Sequence, residues 1–187
     1  MLMFPEIRSA MLLINCLLVI SSALILLSTV IFCMINGIAS MPSSAKVFIA
    51  LEHHLPEKIT GDIIEAGAGW GGMALWLAQR YPQNTICAWE NAWLPFGILW
   101  IRAKYSNQKN LQVKYGSFLQ QPLDSVGLIY TFLCRKGMQK VCKWIHGTPS
   151  VSLLLVSYMF SLPDTKPDKT VHLNNQLVNE LLFYFYR

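Results

Sequence analysis

The sequence predicts an α/β domain, with a doubly wound and mostly parallel sheet, behind one N-terminal transmembrane helix. Short apolar runs alternate with helical patterns from residue 62 to residue 158. A turn nearly stripped of side chains, Glu65-Ala66-Gly67-Ala68-Gly69-Trp70-Gly71-Gly72, joins the first run to the first helix behind it, and an uncharged apolar stretch leads the chain. At 187 residues without internal repeats, the chain supports one domain with a full core plus an appendage. We divide it into an anchor, residues 1–41, and a domain, residues 42–187.

The transmembrane segment is placed at about residues 10–35, because no charge stands between Arg8 and Lys46 and a spanning helix needs about 20 apolar residues. Asn15, Ser21, Ser22, Ser28 and Thr29 can be carried there by bonding back to the helix. A cleaved secretory signal would use Gly37-Ile38-Ala39 before Ser40, but its apolar core is usually about 7–15 residues, shorter than this run. The expectation is a retained single-pass anchor holding to membrane lipid. Charge decides its orientation poorly: Arg8 is offset by Glu6, and Lys46 and Lys58 by Glu52 and Glu57.

After the anchor, Pro42 stops the helix and Ser43 or Ser44 can cap a short amphipathic helix to about Leu55, closed by Pro56. That helix is expected over the cofactor mouth or on the membrane surface. Strands follow at 62–65, 85–90, 111–115, 126–132 and 150–158, and helices at 71–81, 93–105 and 137–146, with Pro95 in the first turn of the second. A polar loop, Gln120-Gln121-Pro122, precedes the fourth strand. The tail departs from the alternation: 170–173 and 181–186 read as two strands joined around Asn174-Asn175, which puts an antiparallel hairpin at the end of a seven-stranded sheet.

The glycine turn predicts the ligand. Glycine enters positive φ without strain and lets a nucleotide approach the main chain, while N–H groups at a helix start attract polar or anionic groups. Read as Gly67-x-Gly69-x-x-Gly72, with Glu90 about 20 residues beyond, the turn satisfies the dinucleotide fingerprint. Read as Glu65-x-Gly67-x-Gly69-x-Gly71, it resembles motif I of class I S-adenosylmethionine-dependent methyltransferases. The acidic residue two places before the first glycine favours that reading and S-adenosylmethionine as cofactor. Such a cofactor places the domain on the cytoplasmic side, or in the matrix of a mitochondrion.

The stretch Ala88-Trp89-Glu90-Asn91-Ala92-Trp93-Leu94 narrows the resemblance. It is similar to the small membrane-anchored lysine methyltransferases that include the mitochondrial enzymes acting on the adenine nucleotide translocase and the ATP synthase c subunit, with bacterial relatives. In that family a glutamate-asparagine-proline-tryptophan-like element ends the second strand, behind a hydrophobic segment, a short helix and the glycine loop. Here Ala92 stands in the proline place. The resemblance runs from about Pro42 to Arg187, with the glycine loop and Glu90-Asn91-Ala92-Trp93 as its specific parts. It implies that Gly67, Gly69 and Gly71 pack against the methionine part and ribose, that Glu65 holds the amino end and that Glu90 binds the ribose. Asn91 and Trp93 would border the adenine, though Trp93 also reads as an ordinary helix aromatic. Many relatives carry an acidic residue at the third strand end; this chain has Gly116-Ser117-Phe118, so Ser117 would serve through its hydroxyl and Phe118 as an apolar wall.

The fourth strand ends in Tyr130-Thr131-Phe132-Leu133, without the acidic or amide residue and prolines that amino-methylating enzymes often place there. No general base is identifiable; Tyr130, the one polar aromatic near the expected methyl position, is a catalytic candidate that reads first as a core tyrosine. Tyr130, Phe132 and Tyr158-Met159-Phe160 would wall an acceptor channel. The expected acceptor is a lysine of a membrane protein. Three rivals stand beside it: a lipid or hydrophobic small molecule as acceptor, a catalytically silent tethered scaffold, and a nucleotide-dependent oxidoreductase.

Lys and Arg outnumber Asp and Glu by 15 to 10, concentrated in Arg102, Lys104, Lys109, Lys114 and in Arg135, Lys136, Lys140, Lys143. These are solvated helix faces or a means of attracting anionic headgroups. No nucleic-acid recognition module accompanies them, so no nucleic-acid partner is expected. Cys16, Cys33, Cys87, Cys134 and Cys142 lack CxxC spacing and read as reduced, mostly buried thiols. His53, His54, His146 and His172 lack a ligand pattern, and no metal is expected.

Overall fold

The computed structural model describes residues 5–36, 41–149, 151–173 and 179–187. The Gly37-Ile38-Ala39 site and the Asn174-Asn175 connection lie outside them. The chain divides into two compact units, Met1–Ala39 and Ser40–Arg187.

The described residues of the first unit form a helix, α1 (Pro5–Asn36). Its stretch Ile7–Ser28 is long and apolar enough to cross a membrane, and none of it is buried within the protein. Its polar side chains are handled locally. The Ser21 and Ser22 hydroxyls donate to the Leu18 carbonyl at 3.0 and 2.7 Å, and Ser28 donates to Ile25 at 2.7 Å. Hydroxyls satisfied against their own helix cost little in an apolar surrounding.

The second unit runs α2 (Ala45–His54), β1 (Asp62–Ala66), α3 (Gly72–Arg80), β2 (Ile86–Glu90), α4 (Trp93–Tyr105), β3 (Leu111–Tyr115), β4 (Val126–Thr131), α5 (Arg135–His146), β5 (Leu153–Tyr158), β6 (Lys169–His172) and β7 (Glu180–Tyr186). The strands form one seven-stranded sheet in the order β3-β2-β1-β4-β5-β7-β6. Only β7 runs against its neighbours, pairing antiparallel with β5 and β6. Every other pairing is parallel.

Period-2 alternation sends successive side chains to opposite sheet faces. Ile63, Ile86, Leu128, Tyr130 and Val156 join Val47 and Leu51 of α2 and Met73 and Leu77 of α3 in one core layer. Ile64, Cys87, Ile129, Leu155 and Tyr184 join Met138, Val141 and Ile145 of α5 in the other. Strands covered on both faces read as unbroken apolar runs, which is why β1, β2, β4 and β5 stand out in the sequence. Burying the three α5 residues contributes about 1.5–3 kcal/mol each. The edge strand β6 carries exposed Lys169, a charge that discourages pairing with another chain.

Local details differ from expectation where tertiary contacts intervene. Ser44 occupies the cap position of α2 without a side-chain bond to the helix. The Ser43 hydroxyl instead lies 3.4 Å from the Tyr130 hydroxyl. Helix α5 starts at Arg135, ahead of Gly137, because Gly137 sits within its first turn; a Cβ there would come 2.7 Å from Leu133 Cβ. The polar loop before β4 opens with a 3-10 turn, Phe118–Gln120. Among cysteines whose side chains are described, Cys87 is buried, Cys134 and Cys142 are half-buried and Cys16 is exposed on α1.

Candidate functional site

The strand order reverses between β1 and β4, and in open α/β sheets ligands gather outside the carboxyl ends of strands at such a switch. Backbone bonds tie three of those ends together. The Gly67 and Ala68 N–H groups both donate to the Trp89 carbonyl, at 3.0 and 2.8 Å, and the Gly116 N–H donates to the Glu90 carbonyl at 2.9 Å. The ends of β1, β2 and β3 therefore form one rigid rim.

The loop on that rim requires glycine. Gly67, Gly69 and Gly71 have φ of +80°, +53° and +80°, a region that L side chains enter at a cost. A Cβ on Gly71 would meet Leu99 Cδ1 at 2.2 Å, and one on Gly67 would meet Leu133 Cδ2 at 2.8 Å. The missing side chains let α4 and the segment after β4 close on the loop. Arg102 of α4 clamps it further by donating to the Trp70 carbonyl.

Glu90 is buried at the end of β2 and is hydrogen-bonded through both oxygens. Oε1 accepts from the Asn91 and Ala92 N–H groups at 2.9 and 2.8 Å, and Oε2 accepts from the Gly69 N–H at 2.6 Å. Each carboxylate oxygen offers two lone pairs, so Oε1 is filled and Oε2 keeps one. One ribose hydroxyl can be accepted there.

Glu65, on the inner strand β1, is 4 % exposed. Its register partners are Ala88 on β2 and Tyr130 on β4. The Ala74 N–H bonds the carboxyl, but burial, and then the nearby charge of Glu90, hold its pKa well above the usual glutamate range. Oε2 is buried with no protein partner. A buried acceptor without a donor is costly and marks a place where a ligand donor fits.

These features test the two cofactors. A dinucleotide brings a pyrophosphate that needs N–H groups from the loop and helix start. Here the Gly67, Ala68, Gly69 and Gly71 N–H groups are all engaged within the protein, the last with the Ala68 carbonyl at 2.9 Å. Those four N–H groups are therefore not open to an anion. The loop's other lining is the Glu90 and Glu65 carboxyl groups, acceptors that suit the cationic amino end and ribose of S-adenosylmethionine.

Ser117 caps the 3-10 turn, its Oγ 3.4 Å from the Leu119 N–H, and is partly exposed beside Gly116. Phe118 packs against Trp144 of α5 with ring centroids 5.4 Å apart, a partner that nothing local in the sequence indicates. Asn91 is exposed in the turn after β2, and Trp93, 46 % exposed, opens α4.

Tyr130 is buried beside Glu65, and burial together with that carboxyl pushes its hydroxyl pKa above the ordinary tyrosine value. The phenolate is therefore disfavoured. Phe132 and Tyr158, at the carboxyl ends of β4 and β5, pack with centroids 4.6 Å apart, and Met159 joins the same layer at a φ of +70°. Phe160 belongs to the opposite layer, so the acceptor wall expected from sequence divides across the sheet.

The sheet order with its reversed β7 and the glycine-loop rim define the class I S-adenosylmethionine-dependent methyltransferase fold. Solved structures agree on that fold. An RNA methyltransferase from Salinibacter ruber, in complex with S-adenosyl-L-homocysteine, superposes with a TM-score of 0.67 at 15 % identity, covering 78 % of this chain and 94 % of that one. A SAM-dependent methyltransferase from Aquifex aeolicus gives 0.58 at 12 % identity, covering 79 % and 95 %. The fibrillarin/Nop5p complex gives 0.54 at 17 %, covering 77 % and 81 %. No protein-family model matches the sequence. No curated protein sequence matches it either.

Proposed function

We propose that the chain is a membrane-anchored S-adenosylmethionine-dependent methyltransferase acting on a lysine of a membrane protein. The observation that carries the cofactor assignment is the buried, unpartnered Oε2 of Glu65, at the end of the strand that leads into a loop whose Gly67, Ala68, Gly69 and Gly71 N–H groups are already engaged. Support for the anchor comes from α1, which is long and apolar enough to span a bilayer. The lysine acceptor is supported by the resemblance of the glycine loop and Glu90-Asn91-Ala92-Trp93 to the small anchored lysine methyltransferases.

Bound S-adenosylmethionine supplies a methyl group on a sulfonium, a leaving group already activated for displacement. The residues of this chain have the task of holding and aligning, which can supply about 7–11 kcal/mol of a barrier. Glu65 pairs with the amino end, Glu90 Oε2 accepts a ribose hydroxyl, and the rim fixed by Trp89 and Glu90 carbonyls keeps both carboxyls in place. The apolar pair Phe132 and Tyr158 borders the route for an amine; burial beside such walls lowers an ammonium pKa and favours the neutral nucleophile.

The test uses the full chain in lipid nanodiscs. Calorimetry should show binding of S-adenosylhomocysteine and none of NADH or NADPH. Incubation of source membranes with the enzyme and a labelled methyl donor should then place the label on lysine of a membrane protein. Label in extracted lipid would replace the acceptor, and absence of any cofactor binding would leave a tethered scaffold.

A further inference from the structure

The outer face of α4 is unlike the other solvent-facing helix surfaces of the domain. Trp93, Trp100 and Lys104 fall on one line at helical spacing, and Ile101 and Tyr105 lie together beside it on one side. Trp93 is 46 % exposed, Trp100 and Ile101 50 % each, and Tyr105 78 %. On the opposite side of the helix Pro95 and Leu99 are buried, so the orientation of α4 on the sheet is fixed and the aromatic stripe faces outward. Scattered exposed apolar residues need no explanation; a contiguous run along one helix marks a contact surface.

We propose that this face of α4 lies in the headgroup region of a bilayer containing anionic lipid. Tryptophan and tyrosine concentrate at that depth because each has an apolar body and a polar tip, and lysine joins them by laying its stem on apolar surface with its ammonium in the headgroups. Lys104 shows that arrangement already, with Nζ 5.2 Å from the centre of the Trp100 ring. Lys104 supplies a positive charge on this face and α4 has no acidic residue, a charge complement for phosphate headgroups. A second copy of the chain fits less well: interface cores are depleted in lysine, and two facing α4 helices would bring like charges together. Basic helix α5 packs on the opposite sheet face and lacks the exposed aromatics.

The proposal rests on the membrane-anchored reading of α1 and adds which face of the domain meets lipid. Trp93 opens α4 two residues after Asn91, so a bilayer seated there would lie beside the cofactor rim, and an acceptor would present its amine at headgroup depth.

All six tryptophans lie in the second unit and none in α1, so their fluorescence reports on the domain alone. The full chain is reconstituted into phosphatidylcholine–phosphatidylglycerol vesicles whose acyl chains are brominated near the headgroup. The expected result is quenching of tryptophan emission, most of it lost in the double variant Trp93→Phe, Trp100→Phe and unchanged in Trp144→Phe on the opposite face, with circular dichroism confirming that each variant is folded. Unaltered quenching in the double variant would overturn the proposal by placing another face on the lipid. A chain that sediments with vesicles without quenching would overturn it while keeping the anchor; a chain that does not sediment would remove both.

Discussion

Glu90 Oε2 accepts the Gly69 N–H at 2.6 Å, binding the carboxylate that ends β2 to the glycine loop that ends β1. The same side chain that is placed to meet a ribose therefore also holds the loop that would lie against the methionine part. Binding and loop geometry are coupled through one residue.

Glu90→Gln breaks this arrangement without changing size. Its amide nitrogen is a donor and would face a backbone N–H, either Gly69 or the Asn91–Ala92 pair. Losing a charged acceptor to buried donors costs about 1–3 kcal/mol, so affinity for S-adenosylhomocysteine should fall on the order of 10–100-fold. Calorimetry on the full chain measures this. An affinity within a factor of two of the parent would place the cofactor elsewhere.

Glu65 links stability and binding to pH in opposite directions. Its folded pKa is raised, so its contribution to stability is fully present below the ordinary glutamate value and is lost as pH rises through the raised one. The empty protein should become less stable over that window, and Glu65→Gln should flatten the dependence and raise the melting temperature at neutral pH. The cofactor amino end favours the ionised form, so affinity should rise with pH across the same window and lose that rise in Glu65→Gln. Melting curves and calorimetry at several pH values test both; a variant less stable than the parent at neutral pH would contradict the account.

Gly71→Ala places a methyl group where Leu99 Cδ1 stands and leaves the residue at a φ of +80°. The backbone strain alone costs about 1–2 kcal/mol. The clash adds to it, and melting should fall by roughly 2–4 °C per kcal/mol for a chain of this size. Leu99→Ala opens that space while creating its own cavity, so the double variant should be less destabilised than the sum of the singles, by about 0.5–3 kcal/mol. Strict additivity would mean that Leu99 does not limit the loop.

The sequence carries the elements because their causes are local. Helix α4 and strand β3 occupy the residues that pattern and Pro95 indicate, 93–105 and 111–115. The apolar runs of β1, β2, β4 and β5 are visible because both sheet faces are covered. Glu65 and the three glycines are legible since a motif is contiguous. Less legible are contacts made by distant residues: Arg102 on the Trp70 carbonyl, Ser43 beside Tyr130, and Phe118 against Trp144. The start of α5 misleads for a related reason, since Gly137 reads as a boundary but serves to admit Leu133.

Tyr130 lies beside Glu65 in register, and its hydroxyl is 3.4 Å from Ser43 Oγ. Burial and that carboxyl raise its pKa, which favours the protonated phenol. Tyr130→Phe should therefore leave the shape of the pH–rate profile unchanged. The single long hydrogen bond it removes contributes at the lower end of about 0.5–1.5 kcal/mol, so the change in stability should be small. Rate measurements from pH 6 to 10, with saturating methyl donor, separate the roles. A profile that loses its basic limb in Tyr130→Phe would assign proton removal to this hydroxyl after all; an unchanged profile with a lower rate would leave it a positioning residue that holds the ends of β1 and β4 against α2.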